Sequence, residues 1–416
     1  MDSNLAMEIS TPQHPQPFSN NICFVDTKIH THNLSYSSFT KSAVFSQWHK
    51  SLQKQQYEEA CHWTAELDAS QWHKDIWQKL ILFASKHVHL HCPKLPLIVA
   101  RNFAYYNIHL IKNSLPDTVA TQPRNIHQLQ KNLCQVIGLV TLCSKGPVYT
   151  LPSVDIHKVD GSELVSGTHP WLMSCKHAQD DASVLRIMST LLCQLEARNT
   201  HKLMYWLGVL TEYDKHQKQQ KEPIQMTARK PILPDDNSYK HVFVNGTHAC
   251  DWVWLLWHAI AHGCRSLGKP KECVDTIKAL GYMFAHDYTS SKRNSRLPIL
   301  IHALQLVYTN VQWQKSVYSG PNEKLIDRAC QNIHLLYKDI RDKRHQHIAQ
   351  PPTAPTTTGK ALVQQHTHPQ RHTQATNDPK PNPKPKTTRA SKNTVSTDSY
   401  TKLDTFDKID ALFLGL

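Results

Sequence analysis

The sequence predicts an all-α protein, and two observations carry that prediction. Apolar residues recur at helical spacing through most of the chain, as in residues 57–70, where Ala60, Trp63 and Leu67 share one face. Glycine is scarce, at 12 of 416 residues. Nucleotide-binding α/β folds and all-β folds both use glycine in turns and phosphate loops, so the composition disfavours both classes.

The helical segments fall into two blocks, and their positions follow from the apolar spacing and from intervening prolines. In the first block we predict helices over 57–70, 75–90, 97–111 and 126–143. In the second we predict them over 181–198, 200–220, 250–267, 270–288, 296–312 and 322–343. A short strand could lie at residues 241–244. The side chains expected in the first core are Trp63, Leu67, Ile76, Leu80 and Phe83.

Composition divides the chain into six parts. They are a flexible N-terminal arm (1–36), a helical domain (37–150), a linker (151–177), a second helical domain (178–347), a disordered basic linker rich in Pro, Thr, Gln and His (348–400), and a C-terminal peptide (401–416). The basic linker has almost no large apolar side chains, so burial cannot offset the entropy lost on ordering it.

The net charge indicates the class of partner, and the cysteine content indicates the cellular compartment. The chain has 47 Lys and Arg against 33 Asp and Glu, a net charge of +14, which favours a polyanionic partner such as nucleic acid. Its eleven cysteines contain no CxxC pair, which indicates a reducing compartment, the cytoplasm or nucleus. No apolar run approaches the roughly 18 residues of a membrane span, so we expect no membrane association.

The most specific motifs lie in residues 49–93. In order they are His49-Lys50-Ser51, Ala60-Cys-His-Trp63-Thr-Ala65, Phe83-Ala84-Ser85 and Leu90-His-Cys-Pro93. They resemble the helical C-terminal region of the MgsA/RarA-type AAA+ ATPases, relatives of DNA clamp loaders. Residues 144–149 resemble a later P-K-S-N-x-x-Y segment of that family. The resemblance covers roughly residues 40–150, about a quarter of the chain.

The sequence departs from the family in three ways. Lys86-His87 replaces an acidic Glu-Asp pair, His89 replaces a glycine, and the AAA+ ATPase module expected before this region is absent. An ordinary amphipathic helix pair with the same apolar spacing is the alternative interpretation.

The resemblance implies an assembly domain, because in the family this region packs as a helical collar that holds subunits together. It thereby implies a clamp-loader-like, non-catalytic accessory protein of DNA replication or repair, with no cofactor and with a sliding clamp or polymerase as partner. Self-association is a further expectation. A large DNA virus would suit such a stand-alone protein, which would then lie in the host cell. The alternative function is that of a structural or virion protein associated with nucleic acid.

Three motifs with catalytic or metal-binding parallels are better explained as structural. Residues 263–269 match the first seven positions of a P-loop, but Pro270 stands where a Mg²⁺-binding hydroxyl is required, so we expect a helix end and no ATPase activity. Two histidine groups have metal-ligand residue types, but helical geometry or a missing glutamate argues against a metal site. They are His87, His89 and His91 with Cys92, and His258 with His262.

The predicted helix 250–267 contains three tryptophans, Trp252, Trp254 and Trp257. We expect them in a core or subunit interface, with base stacking as the alternative.

Candidate phosphate contacts lie in three basic stretches. They are Lys215, Lys218 and Lys221; Lys292, Arg293 and Arg296; and Lys380, Lys384, Lys386, Arg389 and Lys392. Through them we expect weak, non-specific and salt-sensitive binding to nucleic acid. For the first two stretches a solvated helix surface is the alternative.

The C-terminal peptide regains apolar character. As a helix it would place Phe406, Ile409, Leu412 and Phe413 on one stripe, which predicts a partner-binding peptide. Residues 409–413 resemble the I-x-x-aromatic-aromatic end of sliding-clamp-binding peptides, although Leu412 replaces the first aromatic and Phe406 a glutamine. In the alternative, this helix folds back onto its own globular domain.

Overall fold

A computed structural model describes residues 33–112, 123–314, 317 and 321–349. The all-α prediction is confirmed, since these ranges contain twelve α-helices and no strand. β structure in this part of the chain is limited to isolated bridge residues, among them the pair Leu34 and Thr40. No helix in these ranges has both the length and the apolar character of a membrane span.

The first five helices are α1 (Lys41–Gln53), α2 (Tyr57–Ala69), α3 (His73–Phe83), α4 (Leu95–Lys112) and α5 (His127–Leu142). No bounds were predicted for α1, and the four predicted segments agree with α2 to α5 within a few residues, except at the end of 75–90. There α3 ends at Phe83 and continues as a π-helical turn, Ala84–Val88, and a 3₁₀ turn, His89–His91.

The other seven helices are α6 (Pro170–Met173), α7 (Ala182–Glu196), α8 (Thr200–Gln219), α9 (Trp252–Ser266), α10 (Lys271–Ala285), α11 (Arg293–Tyr308) and α12 (Pro321–Ala349). Four of them begin at side-chain caps, because His169, Asp181, Asn199 and Asp251 each accept a hydrogen bond from a backbone N–H in the first turn.

The strand suggested at residues 241–244 is wrong. This segment is irregular, and the Val242 N–H donates to the Tyr239 carbonyl in a turn instead of to a neighbouring strand. Val242 is buried while Phe243 is 72% exposed.

Core assignments are confirmed with one correction. Leu67, Ile76, Leu80 and Phe83 are buried, but Trp63 is only half-buried, because its ring packs on Phe39 and His62 at the edge of the core. In the second block the three tryptophans of α9 are fully buried. Their segment is therefore core, as the first of the two interpretations predicts.

The P-loop-like stretch is a helix end, as expected. Gly263 lies inside α9, where the Trp171 ring packs so closely that a Cβ would lie 2.4 Å from it. Gly268 follows the helix with a φ of +61°, and Pro270 opens α10. The two glycines thus serve helix packing and helix termination.

Helices from the two predicted blocks pack against each other. α12 packs on α2 and α5, α10 packs on α4, and α11 packs on α3 and on the π-helical turn. A buried hydrogen bond joins the ends of this arrangement, since the Tyr337 hydroxyl of α12 donates to Asp68 of α2 at 2.7 Å. The π-helical turn lies between α11 and the loop that follows α5.

Candidate nucleic-acid interface

The first five helices have very little negative charge outside α2 and the start of α3. Between Asp75 and Asp155 the sequence contains one acidic residue, Asp117, and eight lysines and arginines. Helix α1 has no acidic residue either. Surfaces formed by α1, the end of α3 and the loop after α5 are therefore cationic.

Five of the basic and imidazole side chains in this region come together in space. We call this group the α1–α3 cluster: His49, Lys79, Lys86, His87 and Lys145. The cluster is organised around Phe83, whose ring centroid lies 5.2 Å from that of His49 and 4.6 Å from that of His87. The Lys145 ammonium lies 5.6 Å from the same ring centroid.

The lysines of the cluster come from three elements. Lys79 lies on α3, with its ammonium 4.8 Å from the Phe45 ring centroid of α1. Lys86 is exposed on the π-helical turn, seven residues further, so it lies on nearly the same side of the helix axis as Lys79. Lys145 follows the end of α5 and donates hydrogen bonds to the carbonyls of residues 140, 141 and 143.

The π-helical turn and the 3₁₀ turn after it are fixed by close contact with residues 144–149. The Gly146 N–H donates to the His87 carbonyl at 2.6 Å, and His89 Nε2 lies 3.0 Å from the Pro147 carbonyl. A Cβ on Gly146 would lie 2.7 Å from the rings of His89 and His91, so a larger residue would force these rings to shift. The contact brings Lys145 to Lys86 and His87.

Burial and neighbouring positive charges lower the pKa values of the two histidines in the cluster. Burial, and then the positive charges of Lys86 and Lys79, lower the pKa of His49. Burial, followed by His49, Lys86 and Lys145 among others, lowers the pKa of His87 to about 4. Burial also lowers the pKa of Lys145 to about 8. The two histidines are therefore neutral rings at neutral pH, and the charge of the cluster resides on its lysines.

The exposed lysines here have no carboxylate partner. Among the described residues, no Asp or Glu oxygen lies within 4 Å of the ammonium groups of Lys50, Lys79 and Lys86. By contrast, Lys41 at the start of α1 pairs with Asp75 at 2.5 Å. Uncompensated ammonium groups on one surface are the arrangement that phosphate groups bind.

Of the predicted basic stretches, the one in α8 is exposed but partly neutralised. Lys215 pairs with Glu212 at 3.0 Å and Lys218 with Asp214 at 2.7 Å. Lys221, just beyond the helix, is exposed with a φ of +63°. This stretch therefore offers less net positive charge than its lysine count indicates.

The stretch in α11 needs a correction, because Arg293 and Arg296 are only 4% and 6% exposed. Arg293 is ion-paired with Asp251 and Asp214 and lies 4.7 Å from the Trp252 ring centroid. Arg296 donates to the carbonyls at residues 284 and 286. Both guanidinium groups are held in the interior and do not face a phosphate backbone. Lys292, half-buried beside them, donates to the Asp287 carbonyl at 2.9 Å.

The remaining predicted contacts lie outside the described residues. They are Lys380, Lys384, Lys386, Arg389 and Lys392, and the partner-binding residues Phe406, Ile409, Leu412 and Phe413.

The histidine motifs do not form a metal centre in the described part of the chain. No group of three or more His, Cys, Asp or Glu side chains is placed there to hold a metal ion. His258 Nε2 lies 2.9 Å from the Lys230 carbonyl, and His262 Nδ1 lies 3.2 Å from the Ser266 hydroxyl.

Sequence reasoning missed the α1–α3 cluster. The sequence shows only that acidic residues are absent around widely separated lysines. Residues 49, 79, 86 and 145 can be recognised as one cluster only after folding brings them together.

Comparison of the chain with protein families, curated proteins and solved structures finds no match.

Proposed function

We propose that the protein is a non-catalytic accessory protein of DNA replication or repair that binds nucleic acid without sequence preference. The observation that carries the proposal is the α1–α3 cluster, where exposed lysines from separate elements share one surface without neutralising carboxylates. Lysine contacts to phosphate release counterions and require no particular base sequence, so such a surface suits non-specific binding.

We further propose a clamp-loader-like assembly role, and the placement of the segments that carry the family resemblance supports it. Residues 144–149 contact the π-helical turn through the Gly146 N–H and the 3₁₀ turn that follows it through the Pro147 carbonyl. His89 stands where the family has glycine and has a φ of +29°, in the region of backbone space that glycine favours. A backbone that needs this conformation accounts for glycine at the matching position of the family.

The binding surface can be tested by salt titration of DNA affinity with the full chain. For Lys79→Gln we expect weaker binding and a slope of log K against log salt that is shallower by about 0.7 on single strands. Lys86→Gln should act in the same way.

Lys74→Gln is the matched control. It removes the same charge from another exposed position of the same helix, but Lys74 lies about 140° around α3 from Lys79. If Lys74→Gln and Lys79→Gln changed the slope equally, net charge would explain the binding and the cluster would not be the interface. If Lys221→Gln alone changed it, the α8 stretch would be the interface.

The partner can be tested by affinity purification from the native source, with the full chain and with a chain truncated after Tyr400. Loss of a replication protein with unchanged thermal stability would support a tethering role for Phe406, Ile409, Leu412 and Phe413. Loss of thermal stability with every partner retained would oppose it. Stoichiometric presence in purified particles would favour the alternative structural or virion function. We place the protein in the cytoplasm or nucleus as part of the same proposal.

A further inference from the structure

One member of the α1–α3 cluster is not used by a purely electrostatic interface. His49 is an exposed aromatic ring whose neighbours on the protein side, Phe83 and His87, are buried. Its centroid lies 5.2 Å from Phe83 and 5.8 Å from His87, with interplanar angles of 83° and 75°. These edge-to-face contacts fix the ring while part of it stays open to solvent.

The charged side chains that act on His49 are lysines. Lys50 is its neighbour on α1, and Lys79 and Lys86 approach it from α3 and the π-helical turn. Burial, and then the positive charges of Lys86 and Lys79, lower the pKa of the imidazole, which favours its neutral form at neutral pH. A neutral ring adds no attraction for phosphate, but it does offer a face on which a nucleobase can stack.

We propose that the α1–α3 cluster binds single-stranded nucleic acid, with one base stacked on His49 and the adjoining phosphates bound by Lys79 and Lys86. The inference rests on the proposed function and adds the class of ligand. A fixed aromatic ring between lysines is the combination that single-strand-binding surfaces use. In a duplex the base faces are covered by their neighbours, so a duplex gains the lysine contacts without the stacking contact.

The experiment compares three ligands of the full chain at one salt concentration: an oligothymidylate of about 16 nucleotides, an abasic strand of the same length, and a duplex of the same length. The wild-type protein should bind the oligothymidylate most tightly. His49→Ala should weaken binding to the oligothymidylate about fivefold or more and leave binding to the abasic strand nearly unchanged. His49→Phe keeps an aromatic face and should retain the affinity.

His157→Ala is the matched control, because His157 is also exposed and also contacts a second aromatic ring edge-to-face, that of His216 at 5.2 Å. It lies outside the cluster, so its removal should not change binding to any of the three ligands. Circular dichroism and the thermal midpoint of each variant establish that the fold is retained.

The outcomes separate this inference from the function on which it rests. Equal affinity for strand and duplex with no effect of His49→Ala would overturn the stacking proposal, while salt-sensitive binding would still support the proposed function. Equal losses on the oligothymidylate and the abasic strand would also overturn it, since stacking requires a base. Absence of salt-sensitive binding to all three ligands would overturn both.

Discussion

His302 on α11 shows how a single buried ring makes stability depend on pH. The side chain is 2% exposed, and neither ring nitrogen has a hydrogen-bond partner among the described residues. It lines a cavity of about 10 Å³ together with His89 and Met283. Burial, and then the nearby His89, lower its pKa to about 3. The folded protein therefore holds the imidazole in its neutral form and disfavours the protonated form.

For His302→Leu we therefore expect a protein that is more resistant to acid. The unfolded chain protonates this histidine near the ordinary histidine pKa of 6.5, whereas in the folded chain the pKa is about 3. Stability from the neutral ring is complete above 6.5 and is lost as the pH falls towards 3. Between about pH 7.5 and 5 the wild type should lose about 2 kcal/mol more than the leucine variant.

The measurement is urea unfolding of both proteins at the two pH values. At neutral pH the variant should be more stable by about 1 kcal/mol, because leucine removes two buried nitrogens that lack partners. His157→Leu, at an exposed position, is the control and should leave the pH dependence unchanged. An identical loss of stability for wild type and His302→Leu would show that this ring does not contribute to acid sensitivity.

At the residue scale the sequence predicts burial better than it predicts chemistry. Leu80 and Phe83 are buried as their spacing predicts, since apolar periodicity reports directly which face leaves water. Arg293 and Arg296 show the limit, because their spacing resembles that of an exposed basic ridge. Their carboxylate and carbonyl partners lie up to 79 residues away along the chain, and no local pattern reveals them.

At the scale of the helices, the scarcity of glycine has a structural consequence. Several helices are followed by a non-glycine residue in the left-handed region, among them Arg198 after α7 at φ +55° and Lys221 after α8 at φ +63°. Glycine usually occupies this position because it has no Cβ to clash with the backbone. Only the end of α9 uses glycine in this way within the described helices, at Gly268 with φ +61°.

We expect Arg198→Gly to stabilise the protein by about 0.5–1 kcal/mol, because the exposed arginine makes no side-chain hydrogen bond in the described structure and the glycine relieves the left-handed strain. Gly268→Ala is the converse change at a matched position, where a Cβ would meet no atom within 4 Å. It should destabilise by about 1 kcal/mol through strain alone. Thermal midpoints measure both, and shifts of the same sign would contradict the argument.

Helix positions were predictable because long amphipathic segments repeat their signal over several turns. The four-residue α6 and the π-helical turn were not, since each depends on a contact made after folding. α6 packs its Trp171 ring on Gly263, and the turn is held by Gly146 and by α11. The α1–α3 cluster was not predicted from the sequence either, because it also depends on a contact made after folding. Residues 144–149 pack on the π-helical turn and so place Lys145 in the cluster.

At the scale of the whole molecule, the contacts between the two predicted blocks have an energetic consequence. Ile326 and Ile333 of α12 are buried against the first block, and Gly138 of α5 allows Ile326 and Tyr57 to approach within 3 Å of where its Cβ would lie. Asp68 accepts hydrogen bonds from Tyr337 of α12 and Tyr106 of α4. Separation of the blocks would expose this apolar surface and remove a buried partner of the carboxylate.

We therefore expect residues 33–349 to unfold in one transition, and residues 33–150 and 178–349 not to fold cooperatively when each is produced alone. A fragment that loses a packed helix loses burial equivalent to several side chains of about 1.5–3 kcal/mol each, which is comparable to the whole stability of an ordinary domain. Calorimetry of the three chains tests this, and mixing the two fragments should restore part of the transition if their interface is the missing element. Sharp, independent transitions for each fragment would instead establish two autonomous domains, divided within residues 151–177 as the composition predicts.

DNA binding should follow the same folding transition. The α1–α3 cluster lies wholly within residues 33–150, but α11 of the second block packs against it. Salt-sensitive DNA binding should therefore be lost in the isolated first fragment and should return when the two fragments are mixed and fold together.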